Sequence, residues 1–319
     1  MKKIVVNALG GPEQLRLESS DDPTPGANEI LAKVDAAGIN YVDVYHRKGI
    51  YTLPLPFTPG LEGTGRIIAI GDGIKGHAVG DRIGWLQMLG SYSEKVIVPA
   101  AQIISLPASL ATHDGLLFQA VTAQYLIAEY RHIQKNDVVL VHSAAGGVGQ
   151  LLVQWAKHLG ATVIGTTSNA AKADTVRALG ADHVIDYVKT DFQTELMKLT
   201  RDRGANIVFD AVGKDTFARS VASLAHGGTA VSYGAASGPA PAVDPASLMK
   251  KALRVAAGSI FGYIADPEQL QARAKSALDG IREGWLTLGQ VSTYALADAS
   301  RAHTDIESRK TQGKLALMP

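Results

Sequence analysis

At 319 residues the chain is long enough for two domains, each with its own buried core. A formal charge of +1 leaves no strong field to draw in nucleic acid or an anionic membrane. The absence of cysteine excludes disulfides and thiolate metal ligands.

The start, "MKKIVVNALGG", carries an apolar run too short for a signal peptide. "EILAKVDAAGIN" alternates Ile30, Ala32, Val34 and Ala36, the period of a half-buried strand. "GTGRIIAIGDG" and "YSEKVIVPA" are further short apolar runs closed by Gly or Pro, and turn residues recur in "DDPTPGANE", "LPLPFTPG" and "GDGIKGHAVGD". The first third therefore predicts a small irregular β barrel. From about Asp137 the pattern changes. "DVVLV" suits a parallel strand buried on both faces. Val148, Leu151, Leu152, Trp155, Ala156 and Leu159 then form one helical stripe, with Gly160 as its stop. "ATVIGTT", "HVIDY", "NIVFDAVG" and "TAVSYG" read as strands alternating with the helices "NAAKADTVRALG", "DFQTELMKLT" and "KDTFARSVASLA". Repeated β-α units predict an α/β fold with a doubly wound parallel sheet. After a Gly/Ala/Pro-rich loop, 235–245, come "RVAAGSIFGY", a helix over 267–285, the strand "VSTYAL", a helix over 297–308 and a last strand "KLALMP". Two stretches without formal charge, 138–156 and 220–243, are broken by Gly and polar residues, so no membrane span is expected. A cytoplasmic protein is the expectation.

Residues 144–149, A-A-G-G-V-G, fall between the first strand of that series and its helix. On a G-x-G-x-x-G template Ala144 replaces the first glycine, while Gly146 and Gly149 match. Gly146 lets backbone approach a pyrophosphate, and Gly149 lets the helix lie close to its strand. Gly147 and Val148 open a helix whose free N–H groups suit phosphate. A glycine triplet alone is equally a tight strand-to-helix turn; the βαβ context favours nucleotide. The second strand ends "GTTSNAAK". Thr167 and Ser168 stand where an NAD site wants a carboxylate for the ribose 2′-hydroxyl, and Lys172 adds a cation. That pocket suits the 2′-phosphate of NADPH over NADH, although Ser168 or Asn169 also reads as a helix cap and Lys172 as a solvated charge. Tyr187, ending the third strand, flanks the adenosine or is simply structural.

With "GINYVDVYHRKGIY", "PGLEGTG", "AAGGVG" and "ESRKTQGKLALMP" in view, the chain resembles the medium-chain dehydrogenase/reductase superfamily, and within it the NADPH-dependent quinone oxidoreductases of the zeta-crystallin-like branch. The resemblance runs nearly end to end. It implies a GroES-like β-barrel catalytic domain, residues 1–120 and 260–319, into which a Rossmann NADPH-binding domain, 121–259, is inserted. It also implies a homodimer.

The superfamily's zinc alcohol dehydrogenases place a zinc-ligating cysteine where this chain has Asn40, and a Gly-His-Glu where it has Gly60-Leu61-Glu62. The four-cysteine structural zinc lobe has no counterpart, and the nine histidines show no H-E-x-x-H pair. A catalytic zinc needs about three protein ligands. No metal is therefore expected, and alcohol dehydrogenation is disfavoured. What remains is hydride transfer to an acceptor that is already electrophilic, a quinone or another conjugated carbonyl. The alternatives are an enone or alkenal reductase on the same fold, and a non-catalytic NADPH-binding structural or RNA-binding regulatory protein. The charge balance argues against nucleic acid.

By the same resemblance Asn40 and Tyr45 pass beside the nicotinamide as candidate catalytic and cofactor-binding residues. Asn40 equally reads as a helix cap before "YVDVYHRKG", with Asp43 in a capping arrangement and Glu62 structural. Tyr45 equally reads as a half-buried helix aromatic. Thr122 matches a position near the nicotinamide or is a core threonine. Val212 in "DAVG", and Gly234 and Ala235 in "SYGAAS", fall at the carboxyl edge of the sheet, where ligands bind in this architecture. Ser259 and Phe261 in "GSIF", and Arg309, match cofactor-contacting positions of the family. His142 reads as a satisfied strand histidine. Trp85 and Tyr51, near Leu89, suit an apolar wall for an aromatic acceptor or plain core packing.

Overall fold

In the computed structural model, which describes residues 1–308 and 310–319, the alternating segment becomes an eleven-residue strand, Glu29–Ile39. Ile30, Ala32 and Val34 turn inward while Lys33 faces solvent. Past a register shift between Val34 and Ala36 the alternation ends, because both faces are covered. Ala37 and Ile39 join the main apolar cluster, and Ala36 packs with Leu116 and Ala316 in another. Around this strand a seven-stranded sheet forms in the order Val291–Ala295, Lys314–Met318, Glu29–Ile39, Glu62–Ile70, Arg82–Leu86, Ile103–Ser105, with Lys95–Pro99 also paired to Glu29–Ile39. An antiparallel pair, Lys2–Val6 with Leu15–Ser19, lies outside it and is not signalled by periodicity. These elements make one compact unit, Met1–Phe118 with Gly289–Pro319.

The second unit, Gln119–Leu288, holds a six-stranded, wholly parallel sheet. Its order is His183–Asp186, Thr162–Thr167, Val138–Val141, Ala205–Asp210, Leu224–Ser232, Arg254–Ala257. Helix Gly147–His158 follows the first strand, and Gly160 ends the turn at φ 82°. Of the expected stripe Leu151, Leu152, Trp155 and Ala156 are buried, while Leu159 is exposed where the chain turns away.

The same helix also buries Gln150 and Gln154. The resemblance puts 260–288 in the first domain, whereas the chain rejoins the first unit only at Gly289. Gln154 exchanges two hydrogen bonds with the Thr287 backbone, each 2.9 Å, and the Trp155 and Trp285 rings meet edge to face at 5.2 Å. On helix Pro267–Arg282, Arg273 donates to Gln124 Oε1 and Glu129 Oε1, both at 2.6 Å. These polar and aromatic pairs, which hydrophobic periodicity does not encode, add to the buried stripe of Leu270, Ala274 and Ala277 in holding this segment. Among the described residues no helix is long and apolar enough to cross a membrane.

Candidate active site

The order of the parallel sheet reverses between Val138–Val141 and Ala205–Asp210. In open α/β sheets ligands bind outside the carboxyl ends of the strands at such a switch point. One side of it is the glycine turn. Ser143 adopts φ 52°, the Gly146 N–H donates to the Ser143 carbonyl at 2.9 Å, and the Ala144 N–H donates to Thr166 O at 3.1 Å. Helix Gly147–His158 starts directly after, and its first N–H groups have no acceptor within the helix. They and the positive end of the helix dipole make an anion seat. Gly146, Gly147 and Val148 are only half-buried there.

Two glycines of the turn have different causes. A Cβ at Gly149 would collide with the Ser143 carbonyl and lie 2.8 Å from Ala144 Cα, so the close approach of helix to turn requires glycine. Gly146 has φ −75° and ψ 167°, extended values that any residue adopts, and its Cβ would meet only Ser143 O at 3.2 Å. The backbone conformation at 146 therefore does not demand glycine, and the one close contact of a Cβ there is a tight one that the Ser143 carbonyl would have to relieve.

On the other side of the switch point the buried Asp210 carboxylate shapes the loop. It accepts from the N–H groups of Val212 (2.8 Å) and Gly213 (3.0 Å), and from the hydroxyls of Thr216 (2.9 Å) and Ser220 (2.8 Å). Ser237 donates its N–H and hydroxyl to Val212 O at 2.9 and 2.8 Å. A Cβ at Gly234 would lie 2.7 Å from Ala211 O. Val212, Gly234 and Ala235 are thus gathered at one edge of the sheet. Ser259 precedes the short helix Ile260–Tyr263, which carries Phe261, beyond the end of strand Arg254–Ala257. Thr122 is buried within helix Phe118–Glu129. His142 sits between the hydroxyls of Thr166 and Ser220, each at 3.0 Å. Burial pushes its pKa down to about 4, with the nearby Asp210 carboxylate opposing; it is a neutral structural imidazole.

At the end of strand Thr162–Thr167, Asn169 caps the next helix, its Oδ1 accepting from the Lys172 N–H at 3.0 Å. Lys172 is half-buried, and that burial lowers its ammonium pKa. The Tyr187 N–H donates to Thr167 O at 3.1 Å, and its side chain is half exposed. Ser168 lies between them in the chain, half-buried. One acid does stand nearby: Asp186 is in register with Thr167 on the next strand. Its carboxylate is turned to its own loop, accepting from the Val188 N–H at 3.1 Å and facing Lys189 at 3.6 Å.

The first unit holds a second constellation. Asn40 starts helix Tyr41–Lys48; its N–H donates to Asp43 Oδ2 at 2.8 Å, the capping arrangement expected of this pair. Its side chain is buried and engaged. Asn40 Nδ2 donates to Glu62 Oε1 at 2.7 Å, Lys314 Nζ donates to Asn40 Oδ1 at 3.1 Å, and Lys314 pairs with Glu62. Glu62 Oε2 accepts from the Phe118 N–H at 3.0 Å. Burial pushes the Lys314 ammonium down to about 7 against the pull of the Asp43 carboxylate. Burial likewise pushes Asp43 up to about 6, resisted by the Asn40 N–H and the Lys314 charge. From Asp43 a chain runs through Tyr92 OH (3.3 Å) to His303 Nε2 (3.0 Å), then from His303 Nδ1 to Arg47 (3.2 Å) and on to Glu307. A guanidinium only donates, so Nδ1 accepts and Nε2 carries the proton. Burial and then the Arg47 charge hold His303 down at about 3.

Tyr45 is half-buried, edge to face with Tyr41 and Tyr51, both at 5.2 Å. Trp85 is fully buried with its Nε1 donating to Ser91 Oγ at 2.8 Å, a core residue rather than a pocket wall. Arg309 lies outside the described residues. Among the described residues no group of three or more His, Cys, Asp or Glu is placed to hold a metal ion. Lys314, Tyr92 and His303 carry no sequence signal of their own, because the partners of each are remote in the chain.

The fold and the phosphate turn define a dehydrogenase-type, dinucleotide-binding protein, and comparison agrees. The family model "Alcohol dehydrogenase GroES-like domain" matches residues 26–108, and "Zinc-binding dehydrogenase" matches 147–276. The quinone oxidoreductase of Pseudomonas aeruginosa is 36% identical over 100% of this chain and 99% of its own. A 2-haloacrylate reductase from Burkholderia is 34% identical over 99% and 98%. The crystal structure of Escherichia coli quinone oxidoreductase complexed with NADPH superposes with a TM-score of 0.95, at 36% identity, over 100% of both chains. The chain belongs to the medium-chain dehydrogenase/reductase family, in its zinc-independent quinone oxidoreductase branch.

Proposed function

We propose that the protein is an NADPH:quinone oxidoreductase that works without a metal. The observation that carries the reading is Gly146, a glycine that the backbone does not require and a pyrophosphate does. When bound, NADPH supplies a hydride to a conjugated acceptor; the protein's part is to bind, orient and exclude water. Gly146, Gly147 and Val148 present backbone N–H groups to the pyrophosphate. Thr167 and Ser168 receive the 2′-phosphate without a competing carboxylate, Lys172 offers it an ammonium, and Tyr187 flanks the adenine. Val212, Gly234 and Ala235 lie along the dinucleotide, with Ser259 and Phe261 as further contacts. Asn40 and Tyr45 are the candidates to hydrogen-bond the nicotinamide ribose or the acceptor oxygen, and by resemblance Thr122 is a further candidate for the nicotinamide.

Mixing the pure protein with NADPH and a panel of quinones, and following absorbance at the nicotinamide band, tests the reading. Oxidation with at least one quinone is expected; none across the panel rejects it. The similarity to a 2-haloacrylate reductase favours a second reading, reduction of a carbon–carbon double bond conjugated to a carbonyl. Relative kcat/KM for 1,4-benzoquinone and an enone separates the two. The NADPH requirement suits a cytoplasmic enzyme. A homodimer is the expected assembly, since Arg254–Ala257 ends the parallel sheet with mostly exposed residues, an edge able to pair with a second copy.

A further inference from the structure

We propose that Lys314 and Glu62 are positioning residues that lock the Asn40 carboxamide in one orientation, so that it offers its ligand a single fixed N–H. The inference rests on the reading above, that Asn40 touches the nicotinamide or its acceptor.

An asparagine amide can usually turn over at little cost, because each end finds a donor or an acceptor in water. Here it cannot. A carboxylate only accepts, and Lys314, paired to that carboxylate, only donates while it is an ammonium, below its lowered pKa of about 7. Lys314 Nζ faces Asn40 Oδ1 at 3.1 Å, and Glu62 Oε1 faces Asn40 Nδ2 at 2.7 Å. Turning the amide over would set its N–H groups against the ammonium and its carbonyl against the carboxylate, in a place without solvent to relieve either. All three side chains are buried, and the Lys314–Glu62 pair closes the triangle. Each partner is held in turn: Glu62 Oε2 takes the Phe118 N–H at 3.0 Å, and strand Lys314–Met318 fixes Lys314. Gly38 leaves the room, since a Cβ there would collide with the Glu62 carboxylate. A buried ion pair is a weak source of stability, and two apolar residues of similar volume would pack as well. What the pair supplies, and an apolar pair does not, is opposite polarity at the two ends of one amide. After these contacts the carboxamide keeps one N–H, while its oxygen also faces the Asp43 N–H of the capping box.

The test compares wild type, Lys314→Arg, Asn40→Ala and the doubly neutral variant Glu62→Gln with Lys314→Met. The double variant leaves no buried charge unpaired, and its glutamine can face either end of the amide; cooperative thermal melting checks that each variant folds. The first readout is the side-chain amide pair of Asn40 in a 15N–1H NMR spectrum, identified by its loss in Asn40→Ala. One sharp pair is expected in wild type and in Lys314→Arg, and a doubled or exchange-broadened pair in the neutral variant. The second readout is turnover of NADPH with 1,4-benzoquinone. Lys314→Arg should stay within about threefold of wild type, and the neutral variant should lose at least about tenfold in kcat. Adding Asn40→Ala to the neutral variant should lower kcat no further than Asn40→Ala alone. An unchanged amide pair in the neutral variant overturns the inference whatever the turnover. So does full additivity with Asn40→Ala, which would mean that Lys314 acts by another route. Absence of wild-type turnover counts against the proposed function alone, and the amide spectrum still decides the positioning.

Discussion

Replacing Gly146 and Gly149 separately by alanine should split the phosphate turn into its two physical roles. At Gly149 the new Cβ meets backbone, the Ser143 carbonyl and Ala144 Cα at 2.8 Å, and backbone cannot swing aside as a side chain does. Overpacking of this kind costs about 1–3 kcal/mol. At about 2–4 °C per kcal/mol for a unit of this size, Gly149→Ala should melt roughly 2–12 °C below wild type. At Gly146 the backbone is already extended, φ −75°, and the nearest atom to a new Cβ is Ser143 O at 3.2 Å. A shift of a few tenths of an ångström relieves that contact, so the stability change should stay within about 0.5 kcal/mol. Its effect should fall on NADPH. A methyl group there holds the pyrophosphate off the N–H groups of the helix, and weakening one or two charge-assisted hydrogen bonds costs about 1.5–3 kcal/mol, roughly ten- to a hundred-fold in Kd. Valine at 146 should abolish binding. Thermal melting without ligand and a titration of NADPH fluorescence measure the two effects. If Gly146→Ala lowers the melting temperature as much as Gly149→Ala and leaves the Kd unchanged, the turn is only a turn.

Three further outcomes are expected. Lys172→Ala should weaken NADPH about ten- to a hundred-fold and leave NADH nearly unchanged in the same titration; equal losses would remove Lys172 from the 2′-phosphate. His303 is neutral in the fold, with its pKa held down at about 3, while the unfolded chain takes up a proton near 6.5. Its contribution is therefore complete above about pH 6.5 and is lost as pH falls toward 3, by about 1.4 kcal/mol per unit. Glutamine keeps bonds to Tyr92 and Arg47 but does not titrate, so the stability of wild type relative to His303→Gln, from urea unfolding, should fall by about 2 kcal/mol between pH 6.5 and 5. A constant difference would mean that the imidazole is already charged in the fold. Gly38→Ala should cost about 1–3 kcal/mol in the same assay, because its Cβ enters the space of the Glu62 carboxylate. A silent substitution would show that Glu62 is not packed there.

What could be read in the sequence follows from how far apart the cooperating residues lie. The parallel sheet was legible because each strand and helix carries its own local period: Val138–Val141 is a continuous apolar run, and Leu151, Leu152, Trp155 and Ala156 recur on one helical face. Glycines at a bend were legible for the same reason, and Gly160 and Gly180 do take left-handed φ values after their helices. The placement of 260–288 was not, because Gln154 and Thr287 recognise each other by hydrogen bonds across 133 residues.

Lys314 is the extreme case. "KLALM" reads as an apolar strand with a charge at its solvent end, and period-2 logic sends that charge to water. It is instead fully buried, because its partner Asn40 lies 274 residues away and Glu62 lies 252 away. A lysine there is tolerable only if both acceptors are in place, since an unpaired ammonium in that site would cost several kcal/mol. Asn40 and Glu62 could be picked out singly, one as a helix cap and one as the remnant of a metal motif. Neither reading requires the other. Only the folded chain, by bringing strand Lys314–Met318 beside strand Glu29–Ile39, shows that the two bind the same ammonium and that the carboxamide between them has a single orientation.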